Sequence, residues 1–298
     1  MSIRAAILRF VIRRTMKKQF ANIGDVVAFR ERMAASGNMM PDPPDNVSVV
    51  PVTAAGVPCE WITTDATDQN KVLVYLHGGG YVFGGPDSHR DVGWRLAEGA
   101  RMRVLMVDYR LAPENPFPAA VEDATDCYRW LLDEGFKPSN IAIGGDSAGG
   151  GLTVATLVNL RNLGMPMPSA AILLSPWTDL SVSGDSVLQN ADADPMLSRA
   201  ALETMASHYL GDRDRRAPLA SPLFADLRGL PPMLVQVGST EVLLSDAERL
   251  TARVREAGGE AELEVWPNMP HVFQVFASRL PEGKQAIGKL SDFLVNRT

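Results

Sequence analysis

Gly145-Asp146-Ser147-Ala148-Gly149 carries the G-x-S-x-G spacing of a serine raised on a sharp turn. The small residues let a chain fold back tightly between a strand and a helix, which turns the serine hydroxyl outward at the strand's end. An apolar run at 141–143 precedes the motif and a helix predicted over 147–163 follows it, so the setting agrees with the spacing. Gly150 and Gly151 open that helix, whose first N–H groups would face developing negative charge. A free hydroxyl is a weak nucleophile and needs a base within hydrogen-bond reach. A Walker-type phosphate loop is excluded, because no Gly-Lys-Ser/Thr follows.

A second constellation suits the same chemistry. His77-Gly78-Gly79-Gly80 directly follows the apolar run 72–76. Without side chains there, backbone N–H groups can approach a substrate carbonyl and hold the oxyanion formed on attack. Gly79 and Gly80 are preferred to Gly78 as loop donors, and the Ala148 amide, next after the nucleophile, is the expected further donor.

These residues need a frame. Apolar runs at 72–76, 104–107, 141–143, 170–174 and 233–237 alternate with helices predicted near 88–101, 118–135, 147–163 and 242–257. Such runs between helices imply parallel strands covered on both faces, an α/β architecture. Two further strands are predicted near 47–53 and 57–63, a last strand over 260–266 and a last helix near 281–296. Residues 1–36 look helical and break at Pro41-Asp42-Pro43-Pro44-Asp45. The alternation lapses over 181–217, where Asp194-Pro195 reads as a helix start and Gly211-Asp212-Arg213-Asp214 as an end. An insertion between sheet units projects from the strands' C-terminal edge, where α/β proteins bind ligands. The chain therefore divides into N-terminal cap helices (1–45), a first core part (46–180), a cap insertion (181–217) and a second core part (218–298).

Composition narrows the classes. A length of 298 residues, 46% hydrophobic and 21% charged, is ordinary for a globular α/β protein. The net charge of -6 argues against a nucleic acid partner. Cys59 and Cys127 form no C-x-x-C pair and read as reduced, packed residues, in keeping with a cytoplasmic location. The basic N-terminal stretch lacks the unbroken core of about seven apolar residues that a secretory signal needs, since Arg9 and Arg13 interrupt it. It reads as an amphipathic helix packed on the protein; contact with a membrane surface is the lesser alternative.

With both motifs in view, the chain resembles the hormone-sensitive-lipase-related family of α/β-hydrolases, the bacterial family IV esterases. Besides 77–80 and 145–150, the matching stretches are Asp108-Tyr109-Arg110-Leu111-Ala112-Pro113-Glu114, Phe117-Pro118-Ala119-Ala120 and Ser175-Pro176-Trp177-Thr178-Asp179-Leu180. The resemblance implies the α/β-hydrolase fold: an eight-stranded, mainly parallel sheet with helices on both faces and a helical cap. It also implies hydrolysis of short- to medium-chain carboxylic esters, no metal or other cofactor, and homodimers through the last strand and helix.

The fold's order of nucleophile, acid and base leaves His208 and His271, out of His77, His89, His208 and His271, as candidate bases. His208 lies within the inserted helix. His271 lies in a proline-bounded loop after the final strand, at the sheet edge that carries Ser147, and is the base expected here. His77 is read as a brace for the glycine loop. For the acid, the family's text resembles Asp-x-Leu-x-x-Asp with the first position catalytic; here Glu241 holds that position and Asp246 the second. Glu241 is expected to orient the imidazole, with Asp246, and then Asp179 and Asp226, as alternatives. The chain also departs from the family's His-Gly-Phe in having His271-Val272-Phe273.

Ser147, Glu241 and His271 would carry an acyl-enzyme mechanism on a small-molecule ester. An amide or carbamate hydrolase would use the same groups, and a binding protein on this fold is a further alternative. Tyr81, Phe83, Trp177, Met196, Leu197 and Phe273 are candidates for the acyl pocket, although such residues are equally at home in a core.

Overall fold

Short apolar runs separated by helices build one eight-stranded sheet. The computed structural model describes residues 2–20, 23–35 and 41–298. In chain order, α1 (Ile3–Phe20) and α2 (Val26–Ala35) lead to β1 (Val47–Ala54), β2 (Val57–Thr64) and β3 (Asp68–Leu76). Next come α3 (Pro86–Ala100), β4 (Met102–Val107), α4 (Ala119–Asp133), β5 (Ile141–Asp146), α5 (Ala148–Asn162) and β6 (Ala170–Leu174). The one-turn α6 (Ser186–Gln189) and α7 (Arg199–Leu210) precede β7 (Met233–Gly238), α8 (Leu244–Glu256), β8 (Ala261–Trp266) and α9 (Pro281–Val295).

Across the sheet the order is β1-β2-β4-β3-β5-β6-β7-β8. All pairings from β4 to β8 are parallel, whereas β2 runs antiparallel to both β1 and β4. The two-residue period divides the strands between two cores. Leu73, Tyr75, Val104, Met106 and Ile172 face α3 and α9, while Val72, Val74, Leu105, Ile143 and Val235 face α4, α5 and α8. Truncating one such buried residue, Leu73→Ala for example, would cost about 2–5 kcal/mol.

The chain leaves β3 toward β4 on one side, and β5 lies on the other. That reversal opens a crevice at the C-terminal ends of β3 and β5, from which residues 77–80 and Ser147 emerge. Helix α5 can press close behind Ser147 only because its first turn is glycine: a Cβ on Gly149 would lie 1.9 Å from the Leu76 carbonyl oxygen, and one on Gly151 2.0 Å from that of Trp177.

Over this edge lie α1, α2 and the segment between β6 and β7. Phe20, Phe29 and Phe83 form an aromatic cluster that joins both N-terminal helices to the loop after β3. His208 on α7 contacts the Gly24 carbonyl through Nε2 at 3.2 Å. Arg13 and Lys17 donate to the carbonyls of Asp192 (2.7 Å) and Ala191 (2.9 Å). The inserted helix does not begin at Asp194-Pro195. The Asp194 carboxylate turns inward and accepts the amides of Met196 (2.8 Å) and Leu197 (2.9 Å), closing a short turn, and α7 begins only after Ser198, which caps it. Gly211 ends that helix with φ 57°.

Cys59 on β2 and Cys127 on α4 are buried and free, their sulfurs 3.9 Å apart. Among the described residues, no helix is long and apolar enough to cross a membrane.

Candidate active site

Ser147 sits between β5 and α5 with φ 53° and ψ -119°, a conformation that non-glycine residues rarely adopt. The surrounding backbone enforces it: the Ser147 amide donates to the Leu174 carbonyl (2.9 Å), and the Ser147 carbonyl accepts the Trp177 amide (2.8 Å). The hydroxyl is thereby fixed at the crevice, 2.9 Å from Nε2 of His271.

His271 comes from the loop after β8. Its Nδ1 lies 2.7 Å from Oε2 of Glu241, in the turn after β7. The two loops are stitched together by the Thr240 hydroxyl, which donates to the Met269 carbonyl at 2.8 Å, and by the Asn268 amide, which donates to Ser239 Oγ at 2.8 Å. Glu241 is fully buried. Its other oxygen accepts the Ser175 hydroxyl (2.7 Å) and the Gly238 amide. With Oε1 so occupied, Oε2 is left to the imidazole. Burial pushes the His271 pKa down, but the bond to Glu241 and its charge, with help from Asp194 and Asp146, outweigh this, and the imidazole is raised above 6.5.

None of the alternative acids reaches His271. Asp246 accepts the backbone amides of Thr178 (2.8 Å) and Asp179 (2.9 Å) and pairs with Arg249. Asp179 bonds Ser181, Ser183 and Arg249. Asp226 is a surface partner of Arg228.

The loop after β3 is held by a buried polar cluster. Asp146 Oδ1 accepts the Gly78 amide and the Tyr75 hydroxyl, each at 3.0 Å. The Gly78 amide is thus already committed, which removes it from the set of oxyanion donors. Gly79 (φ 123°) and Gly80 (φ 61°) have no backbone partner for their amides among the described residues. A Cβ on Gly79 would lie 1.9 Å from the Phe83 carbonyl oxygen, so only glycine fits there. Ala148 opens α5 beside them.

His77 stacks on Tyr109, with ring centroids 4.2 Å apart, and its Nδ1 lies 2.7 Å from the Gly78 carbonyl. Burial, reinforced by His89, lowers its pKa to about 4, so it is a neutral brace. His89 contacts Asp146 through Nε2 at 3.3 Å. Burial works against charging His89, but Asp146 overcomes it and its pKa is raised.

A cleft of about 560 Å³ opens over these groups, lined by Gly78–80, Ser147 and His271 and walled largely by apolar side chains. Phe83, Met196 and Leu197 line it, with Met16 and Phe20 of α1, Leu202 and Met205 of α7, and Phe276. Three other pocket candidates lie in the core instead. Tyr81 is stacked on Tyr209 with centroids 3.8 Å apart, Trp177 is fully buried with Nε1 donating to the Asp179 carbonyl, and Phe273 packs on Trp266. None of the three is among the residues that line the cleft. The sequence assigned no role at the site to Ser175, His89 or Asp146, and Asp194 was expected only as a helix start. Ser175 and Asp146 stood inside motifs already noted, whereas nothing in the sequence signalled His89.

Residues 73–275 match the family described as alpha/beta hydrolase fold. An acetyl-hydrolase of Streptomyces hygroscopicus is 44% identical over 272 residues, covering 91% of this chain and 89% of the relative. An esterase of Acinetobacter venetianus is 39% identical over 248 residues, covering 83% and 82%. Among solved structures, an esterase of the bacterial hormone-sensitive lipase family superposes with a TM-score of 0.92 at 47% identity, over 100% of this chain and 99% of the other.

Proposed function

The chain belongs to the α/β-hydrolases, among the esterases related to hormone-sensitive lipase, and from that premise we propose that its carboxylic ester hydrolysis runs through Ser147, His271 and Glu241. The observation that carries this reading is the unbroken contact chain from Ser147 Oγ through His271 to the buried Glu241 carboxylate.

In the proposed reaction, Ser147 Oγ attacks the ester carbonyl as His271 Nε2 takes its proton. Glu241 holds Nδ1 and stabilises the imidazolium. The amides of Gly79, Gly80 and Ala148 receive the oxyanion. The imidazolium then protonates the leaving alcohol. Water, deprotonated by the same imidazole, releases the acid and restores Ser147.

Helices α1 and α2 together with residues 181–217 act as the cap, a role supported by Met16, Phe20, Met196, Leu197, Leu202 and Met205 all lining the cleft. Its size and apolar wall suit short- to medium-chain acyl groups. The exposed outer edge of β8, with Val265 at 41% exposure, supports a dimer through this strand and α9. A series of p-nitrophenyl esters of increasing acyl length, run beside matching anilides, tests the assignment. Turnover should peak at short to medium acyl chains and be lost in Ser147→Ala; preference for the anilides, or turnover by the variant, would refute it.

A further inference from the structure

Helix α1 is apolar on two opposite sides. Ala5, Ile12 and Phe20 are buried, with Leu8 and Met16 packed beside them against the core. On the other side Ile3, Ile7, Phe10 and Val11 are 82%, 59%, 58% and 48% exposed. Ile7 is four residues from both Ile3 and Val11 and three from Phe10, so the four share one helix face around it. Lone exposed apolar residues need no explanation, but four large ones in a row mark a contact surface.

The cations of this helix fall into two sets. Arg9, Arg13 and Lys17 point to the segment after α6, donating to the carbonyls of residues 191–194. Arg4 and Arg14 lie on the exposed face, at positions that interleave with the apolar stripe, and the Arg14 guanidinium lies 4.6 Å from the centre of the Phe10 ring. Residues 1–24 contain no Asp or Glu, although the whole chain has a net charge of -6. A second copy docked on this stripe would bring two sets of cations together. An anionic lipid surface would satisfy both features, taking the apolar side chains below its headgroups and the cations among them.

We propose that the outer face of α1 docks the protein on an anionic lipid surface. The same helix contributes Met16 and Phe20 to the wall of the cleft, so docking holds the cleft next to the lipid from which apolar esters would enter.

Co-sedimentation of the full chain with phosphatidylcholine vesicles, with and without phosphatidylglycerol, tests this. The wild type should partition at least tenfold more strongly onto phosphatidylglycerol vesicles, and added salt should weaken that binding. The Ile7→Ser/Phe10→Ser double variant should lose about tenfold or more in partition, and Arg4→Gln/Arg14→Gln should lose several-fold along with much of the salt dependence. Both should hydrolyse soluble p-nitrophenyl acetate as the wild type does, which shows that they fold. Ser147→Ala should bind vesicles normally, so failure of the catalytic reading would leave this one standing. The proposal is overturned by equal binding to both vesicle types, by variants that bind like the wild type, or by a dimer that the apolar variant abolishes without any vesicle binding.

Discussion

His271 stands between the Ser147 hydroxyl and the buried Glu241 carboxylate, and most of the residue-scale behaviour expected of the proposed reaction follows from that. Attack requires the neutral imidazole, while Glu241 favours the protonated one and holds the pKa above 6.5. The activity kcat/KM should therefore fall as pH drops through a midpoint above 6.5, and Glu241→Gln should move that acid limb to lower pH as it lowers the plateau. A pH–rate profile of both proteins checks this; an unmoved limb would detach Glu241 from the imidazole. Ser147→Ala and His271→Ala should each reduce turnover by about 10⁶, and Glu241→Ala by roughly 10⁴. At this scale the sequence was most informative where local geometry is stereotyped, as in the five residues around Ser147. It was least informative for Tyr81, Trp177 and Phe273, because an aromatic type says nothing about which way the chain has turned at that point. Gly78 illustrates a finer limit: its amide is lost to Asp146, a partner 68 positions away.

At the scale of elements, loops rather than strands bring the site together. Ser175, with φ 48°, follows directly on β6, and its hydroxyl faces the acid loop. There it donates to Glu241 and accepts the Val272 amide at 3.1 Å, so one side chain ties the loops after β6, β7 and β8. It is a positioning residue, and Ser175→Ala should reduce kcat roughly 10–100-fold, about the worth of one hydrogen bond to a charged group. The acid limb should shift with it, which a purely structural role would not produce.

The start of α8 carries a different constraint. Burial, with Asp179 nearby, raises Asp246 from 3.8 to about 7. Because the folded value exceeds the unfolded one, the fold favours the protonated acid. That contribution is complete below about pH 3.8 and is lost as pH rises through about 7. Thermal melts between about pH 4 and 7 should show the wild type losing stability that Asp246→Asn retains. The strands themselves were readable from their apolar runs. The start of α7 was not, since Asp194 resembles a helix cap but serves Met196, Leu197 and, through Oδ2 at 2.9 Å, the Val242 amide beside Glu241.

The whole molecule is a sheet edge covered by two segments from distant parts of the chain. Arg9 and Arg13 were visible in the sequence only as interruptions of an apolar stretch; together with Lys17 they grip the segment before α7. Leu202 hangs from that covering into the cleft. Leu202→Trp should shorten the preferred acyl chain while leaving acetyl ester turnover within a few-fold, as the same ester series would reveal.

The central claim is that Ser147 forms the covalent acyl-enzyme. Its most direct test is an organophosphonate that mimics the tetrahedral intermediate, added to the intact protein, digested and mapped by peptide mass. One equivalent should be found on the peptide containing Ser147, with none taken up by Ser147→Ala and little by His271→Ala. Stoichiometric label on another residue, or uptake by Ser147→Ala equal to the wild type, would contradict the account.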